Sequence, residues 1–294
     1  MRPFYLPACL FLLAAWPLSA WDGRSAPYFG QTLPGGKPER FAPPILAGFP
    51  FLGRIAFAPD GQTCFFTVSD ATWSSQKLMT TRLEKGVWLP PEPAPFAAEF
   101  EKAGEPFFSG DGKSLTFNAS PKASPTGADF WRVTRTAQGW SAPIRLSEAY
   151  QSKAHDLCFT QTSDGTGYFL SRRLGLPQLF RVRPGAEAAD LLPAPITAEG
   201  VPNGDPCIAP DGRFLVFFSF RPGGFGSGDL FATFPDGKGG WTEPVNLGPD
   251  FNTVGSEYGA SLSPDAKVLF FVRHTREKAE LFWVATSALE RFRK

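Results

Sequence analysis

The sequence predicts an all-β protein. The expected fold is a five-bladed β-propeller of four-stranded antiparallel blades, its last blade completed by a strand from the N-terminus. Three observations carry this. A hairpin turn centred on Asp recurs five times along the 294 residues, at Asp60, Asp111, Asp164, Asp211 and Asp265, which lie 51, 53, 47 and 54 residues apart. Each turn leads into a short apolar run and then a strand in which a polar residue precedes two large apolar ones. A further segment, an aromatic or Leu followed three residues later by Pro, follows four of the repeats and has its fifth copy near the N-terminus. Repeats of this length are the signature of ring and solenoid architectures.

The turns read Ala58-Pro59-Asp60-Gly61, Ser109-Gly110-Asp111-Gly112, Thr162-Ser163-Asp164-Gly165, Ala209-Pro210-Asp211-Gly212 and Ser263-Pro264-Asp265-Ala266. Pro presets φ, Asp bonds to its own backbone and Gly accepts a positive φ. Ala266 breaks the pattern, so that turn is expected to be strained or differently shaped. The runs after the turns, such as Cys64-Phe65-Phe66-Thr67-Val68 and Val268-Leu269-Phe270-Phe271-Val272, are short and rich in Phe and β-branched residues. That argues strands, and their weak alternation argues burial on both faces. The next strands are Lys77-Leu78-Met79, Asp129-Phe130-Trp131, Gln178-Leu179-Phe180, Asp229-Leu230-Phe231 and Glu280-Leu281-Phe282. The outer segments are Trp88/Pro91, Trp140/Pro143, Leu192/Pro195 and Trp241/Pro244, with Phe41/Pro44 as the fifth copy. Proline cannot donate to a ladder, which places them at a sheet edge. The segment over 41–47 is therefore expected to close the ring by supplying the outer strand that the last repeat lacks. A six-bladed ring, the alternative, needs a sixth repeat that is not visible.

Length and composition bound the rest. The formal charge is +1 and 15% of residues are aromatic, among them 30 Phe. A balanced charge argues against nucleic acid or an anionic membrane surface as partner. Arg2, the apolar stretch 6–18 and Leu18-Ser19-Ala20 read as a signal peptide over 1–20, cut after Ala20 or after Ala26. The apolar stretch is too short for a transmembrane segment, which needs about 20 residues. Residues 21–38 then form an N-terminal extension and 39–294 a single propeller domain, exported to the periplasm or beyond and expected to be monomeric. Cys64, Cys158 and Cys207 lie beyond the leader and lack zinc or redox spacing. They read as buried thiols, with a Cys158–Cys207 bridge as the alternative.

Pro-Asp-Gly hairpins followed by Asp-Leu-Phe and Gly-Trp-x-x-Pro-x-x-Leu resemble the Pro-Asp variety of WD40-like β-propeller repeats. The stretch over 229–271 carries the resemblance most fully, and Tyr28-Phe29-Gly30-Gln31 and Phe41-Ala42-Pro43-Pro44 are also similar to family members. These repeats occur in exported bacterial proteins, including the propeller of the Tol-system periplasmic protein. The resemblance implies a fold and an exported location; it brings no catalytic residues, since propellers carry many unrelated activities.

In such a ring the first strand of each blade lines the central channel. Counting six or eight residues back from each turn Asp reaches the far end of that strand, and places Arg54, Glu105, Asp156, Asn203, Asp205 and Glu257 there, with His155 beside them. These residues are the candidate ligand-binding set at a channel mouth. Carboxylates from several strands suit a cationic group or calcium, a hard ion taking 6–8 oxygens; whether they hold a metal is left open, as is the reading that they bond neighbouring amides. His155 and Asp156 point to opposite strand faces, and His274 is read as lying in a solvated turn. No nucleophile elbow, zincin or phosphate-loop motif is present. The expectation is a non-catalytic scaffold of the cell envelope that binds a protein or a small ligand at the mouth or through the loops 120–128 and 221–228. A glycosidase-like hydrolase using mouth carboxylates, or a cation-binding propeller, is the alternative.

Overall fold

The computed structural model describes residues 27–122 and 127–293, so the expected leader and part of the 120–128 loop lie outside the described residues. Five antiparallel sheets follow one another along the chain. Blade 1 comprises Leu52–Phe57, Thr63–Ser69, Gln76–Glu84 and an outer edge split into Val87–Trp88 and Glu92–Pro93 around Pro90-Pro91. Blade 2 comprises Phe100–Phe108, Ser114–Pro121, Asp129–Thr136 and an edge split into Gly139–Trp140 and Ile144–Arg145. Blade 3 is Asp156–Gln161, Gly167–Ser171, Gln178–Val182 and Asp190–Leu191; blade 4 is Asn203–Ile208, Leu215–Ser219, Asp229–Thr233 and Val245–Asn246. Blade 5 has Ser256–Leu262, Val268–His274 and Ala279–Ala285, and takes Glu39–Arg40 as its outer strand.

The termini thus share one sheet, with Glu39 opposite Trp283 and Arg40 opposite Phe282. Closure falls earlier than 41–47. Phe41 adds one ladder bond, its N–H donating to the Leu281 carbonyl (2.8 Å), and the prolines that follow turn Pro44–Leu46 into a 3₁₀ turn. Proline presets φ near the helical value and removes the donors that a strand needs. The extension joins the seam as well: the Phe29 ring packs at 4.7 Å from Trp88 and 5.3 Å from Phe57. Phe41 sits 4.7 Å from Trp283. Five apolar clusters fill the junctions between successive blades, and the seam between blades 5 and 1 is among them.

The turns form as the sequence implies. Gly61, Gly112, Gly165 and Gly212 have φ between 67° and 90°, and each N–H bonds back to the carbonyl three residues earlier. Ala266 takes the same left-handed conformation (φ 54°) and the same bond to Ser263. Its turn keeps the shape and carries the strain of a Cβ in that region. Cys64, Cys158 and Cys207 are free and buried, so Cys158 and Cys207 are not bridged.

Candidate functional site

Each inner strand carries a β-bulge at the same place, six residues before the turn Asp. Register shifts fall between Leu52 and Ile55, Gly104 and Phe107, Leu157 and Thr160, Gly204 and Cys207, and Tyr258 and Ser261. The bulged residues are Arg54, Glu105, Cys158, Asp205 and Gly259. Bulges re-aim side chains and free backbone groups from the ladder, and here they turn five positions towards the ring axis.

Arg54 crosses the channel. Its guanidinium is buried, and Nη1 and Nη2 donate to the carbonyls of Phe159 and Pro206, each at 3.0 Å, both released by bulges in blades 3 and 4. The side chain plugs the ring. On the turn side a cleft of about 110 Å³ remains, with Arg54, Pro59, Pro210 and Pro264 in its wall. On the other side lies the mouth cavity, about 340 Å³, with walls contributed by all five blades.

Glu105 and Asp205 form the floor of this cavity with Cys158. The Cys158 thiol donates to Asp205 Oδ1 at 3.1 Å and lies 3.8 Å from Glu105 Oε2. Asp205 Oδ2 accepts from the Gly259 N–H at 3.0 Å, and the Glu105 N–H donates to Thr67 Oγ1 at 2.8 Å. Arg54 Nε stands 3.8 Å from Glu105 Oε2, beyond hydrogen-bond reach. Burial pushes the Glu105 carboxyl up to about 7; Arg54 opposes that and Asp205 adds to it. Burial, reinforced by Asp205 and Glu105, holds the Cys158 thiol well above its ordinary range, so it is a donor here and not a nucleophile.

Trp73 and Tyr258 build the aromatic side, with rings 5.7 Å apart and edge to face. Trp73 rides on a loop organised by Asp70, whose Oδ1 accepts from the N–H groups of Thr72 (2.9 Å) and Ser74 (3.0 Å). Gly53 lets the parts meet: a Cβ there would lie 3.1 Å from the Trp73 ring and 3.2 Å from Glu105 Oε1. The Tyr258 hydroxyl is shielded from solvent and has no hydrogen-bond partner among the described residues. Trp73, Glu105, Cys158 and Asp205 all hold positive φ, half of the eight non-glycine residues that do so among those described. Backbone strain concentrated at one place is typical of functional sites.

The candidate residues therefore divide. Arg54, Glu105 and Asp205 are brought together. Asp156, Asn203 and Glu257, counted eight back, are not at the mouth floor; each is held by an arginine of its own blade. Arg173 bonds Asp156 Oδ1 (3.1 Å), Arg221 bonds Asn203 Oδ1 (2.7 Å) and Arg273 bonds Glu257 Oε1 (3.2 Å). All three guanidiniums stack on Phe rings of their own blades, Arg173 on Phe180 (4.8 Å), Arg221 on Phe217 (5.4 Å) and Arg273 on Phe282 (4.1 Å). The repeated latch ties the start of the inner strand to the second strand. Four carboxylates do not converge, and among the described residues no group of three or more His, Cys, Asp or Glu is placed to hold a metal ion. His155 lines the cavity while Asp156 is fully buried, as the alternation of a strand requires. His274 ends a strand rather than lying in a solvated turn. It packs 5.9 Å from Tyr258, and burial lowers its pKa.

Cys158, Trp73 and Tyr258 were not among the sequence candidates. A uniform count of six residues back would have found Cys158 and set Asp156 and Glu257 aside. No signal in the sequence places Trp73 beside Tyr258, because they come from blades at opposite ends of the chain.

Fold and site together define a five-bladed β-propeller with a plugged channel and one polar–aromatic mouth. No protein-family model matches the chain, and no curated protein matches it. Solved structures do share its fold. TolB from Acinetobacter baumannii superposes with a TM-score of 0.52 at 19% identity, over 81% of this chain and 52% of that one. A protein described as putative TolB from Agrobacterium tumefaciens gives 0.51 at 17%, over 78% and 73%. A thermostable family-43 glycoside hydrolase gives 0.52 at 11%, over 85% and 91%. This chain spans about half the length of the Acinetobacter protein. At these identities the likeness is one of fold.

Proposed function

We propose that the protein is an exported, non-catalytic β-propeller of the Pro-Asp repeat type that holds a ligand at the mouth of its channel. In this reading it serves as a binding scaffold in the cell envelope. The observation that carries the proposal is the mouth cavity itself. Its volume of about 340 Å³ falls within the range of small-ligand sites, roughly 300–1,000 Å³. Arg54 seals it below, and strained backbone on rigid strands fixes its polar groups. Around it, the same face of the ring exposes Leu174, Leu176, Phe220, Phe225 and Val254, in loops that join second to third strands or precede the inner strand of blade 5. A rim of this kind suits a protein partner whose side chain enters the cavity. The fold likeness to TolB proteins agrees with a propeller scaffold.

Native mass spectrometry of the protein isolated from its own envelope fraction tests this reading. A co-purifying species lost from a Trp73→Ala variant supports it; a bare protein, with no melting shift in a broad ligand screen, refutes it.

A hydrolytic reading stands second. Glu105 Oε2 and Asp205 Oδ1, both reached by one thiol, are no more than about 7 Å apart, a limit that admits the roughly 5–5.5 Å separation of acid–nucleophile pairs in glycosidases. Glu105 has the raised pKa of a general acid. Turnover of aryl glycosides that Glu105→Gln abolishes would favour it over the scaffold.

A further inference from the structure

The cavity floor has an imbalance of charge. Glu105 and Asp205 bring two carboxylates against a single buried cation, Arg54, whose two terminal nitrogens are committed to the carbonyls of Phe159 and Pro206. Asp205 has two donors, the Cys158 thiol and the Gly259 N–H. Among the described residues the Glu105 carboxylate has only distant donors: the thiol and Arg54 Nε both stand 3.8 Å from Oε2, while Oε1 lies close against Gly53. Above this floor stand the Trp73 and Tyr258 rings, packed edge to face. At the rim Glu101 and Lys102 both line the cavity and sum to no net charge, and His155 lines it as well.

We propose that the mouth selects an organic monocation, a primary ammonium on an apolar stem, with the stem against the Trp73–Tyr258 pair and the nitrogen on Glu105 and Asp205. This rests on the ligand-binding reading above and names the chemistry of its ligand. Aromatic faces attract a cation that is partly stripped of water, and an ammonium has three donors for the oxygens of two carboxylates. A divalent hard ion fits poorly, since it needs 6–8 oxygens and the floor supplies two carboxylates, one of them already holding donors. The ammonium has two possible sources, a free small amine or a lysine side chain of a partner polypeptide crossing the apolar rim.

The test is isothermal titration of the full-length mature protein with N-acetyl-lysine methylamide. N-acetyl-norleucine methylamide, which lacks only the ammonium nitrogen, and calcium chloride serve as comparisons. The lysine probe is expected to bind at least about tenfold more tightly than the norleucine probe. Calcium is expected to give no heat. Glu105→Gln and Trp73→Ala should each weaken the lysine probe about tenfold, whereas Asp156→Asn, outside the cavity, should leave it unchanged. If the peptide acetyl-Leu-Lys-Leu-amide binds much more tightly than the single-residue probe, the ammonium comes from a polypeptide; equal affinity assigns it to a free amine. Equal binding of the norleucine and lysine probes overturns charge selection and leaves the cavity a binding site. No binding of either probe, with an envelope ligand still present by native mass spectrometry, overturns the cation assignment alone. The same result with no envelope ligand overturns both readings.

Discussion

Arg54 and Glu105 occupy the same bulge position in adjacent blades, and their side chains approach to 3.8 Å without a hydrogen bond. The near miss has a cause. The bulges in blades 3 and 4 offer Arg54 two carbonyls with better geometry, so the arginine braces the ring and the carboxylate faces the cavity. One residue type thus serves structure and its neighbour is free for binding, though both hold equivalent positions in the repeat.

Arg54→Met should destabilise the protein by about 3–5 kcal/mol, because it leaves two carbonyls and a carboxylate buried without their cation. Arg54→Lys should recover part of that, since an ammonium reaches fewer of the acceptors. Urea unfolding of the three proteins, compared by midpoint at equal slope, checks the order.

Glu105 should make stability fall as pH rises. Its folded pKa, about 7, lies above the ordinary value of 4.5, so between the two the folded state binds more protons than the unfolded one. Stability from this group is then greatest below the unfolded pKa and is lost as pH climbs through 7. Glu105→Gln removes this dependence. The variant should gain melting temperature relative to the parent between pH 5 and pH 8, and a constant gap across that range would contradict the assignment.

Asp156→Asn should cost stability without touching the site. Asp156 is fully buried and Arg173 is its ionic partner. Loss of a charged hydrogen bond in that setting costs about 1.5–3 kcal/mol. Denaturant midpoints should drop while binding at the mouth is unchanged.

Phe41→Ala should weaken the seam between the termini by about 3–5 kcal/mol, the usual cost of emptying a buried Phe site. The ring lies against Trp283 (4.7 Å), Phe270 (5.2 Å) and Phe29 (6.1 Å), so all three lose contact. Hydrogen exchange should rise first at residues 281–285, where blade 5 pairs with the N-terminal strand.

The repeats made the ring legible in the sequence. Pro, Asp and Gly have local mechanisms in turns, and a Phe-rich run between turns has few alternatives to a buried strand. The borrowed strand was legible to within a few residues. The position of Arg40 opposite Phe282 depends on pairing across the whole chain, and Pro43-Pro44 stops the strand sooner than the aromatic spacing implies. The candidate site was half legible. The step of six residues marks the bulge, and Arg54, Glu105 and Asp205 follow from it. The step of eight reaches the strand start, where Arg173, Arg221 and Arg273 claim Asp156, Asn203 and Glu257. A bulge reverses which face a side chain takes, and its position is set by the partner strand.

The most direct measurement is a crystal structure of the protein grown with N-acetyl-lysine methylamide. The lysine side chain is expected to lie against the Trp73–Tyr258 pair, its nitrogen within about 3 Å of a Glu105 or Asp205 oxygen, with Arg54 still on the carbonyls of Phe159 and Pro206. A probe bound away from the mouth at saturation, or one held there by its amide ends with the ammonium in solvent, would contradict it.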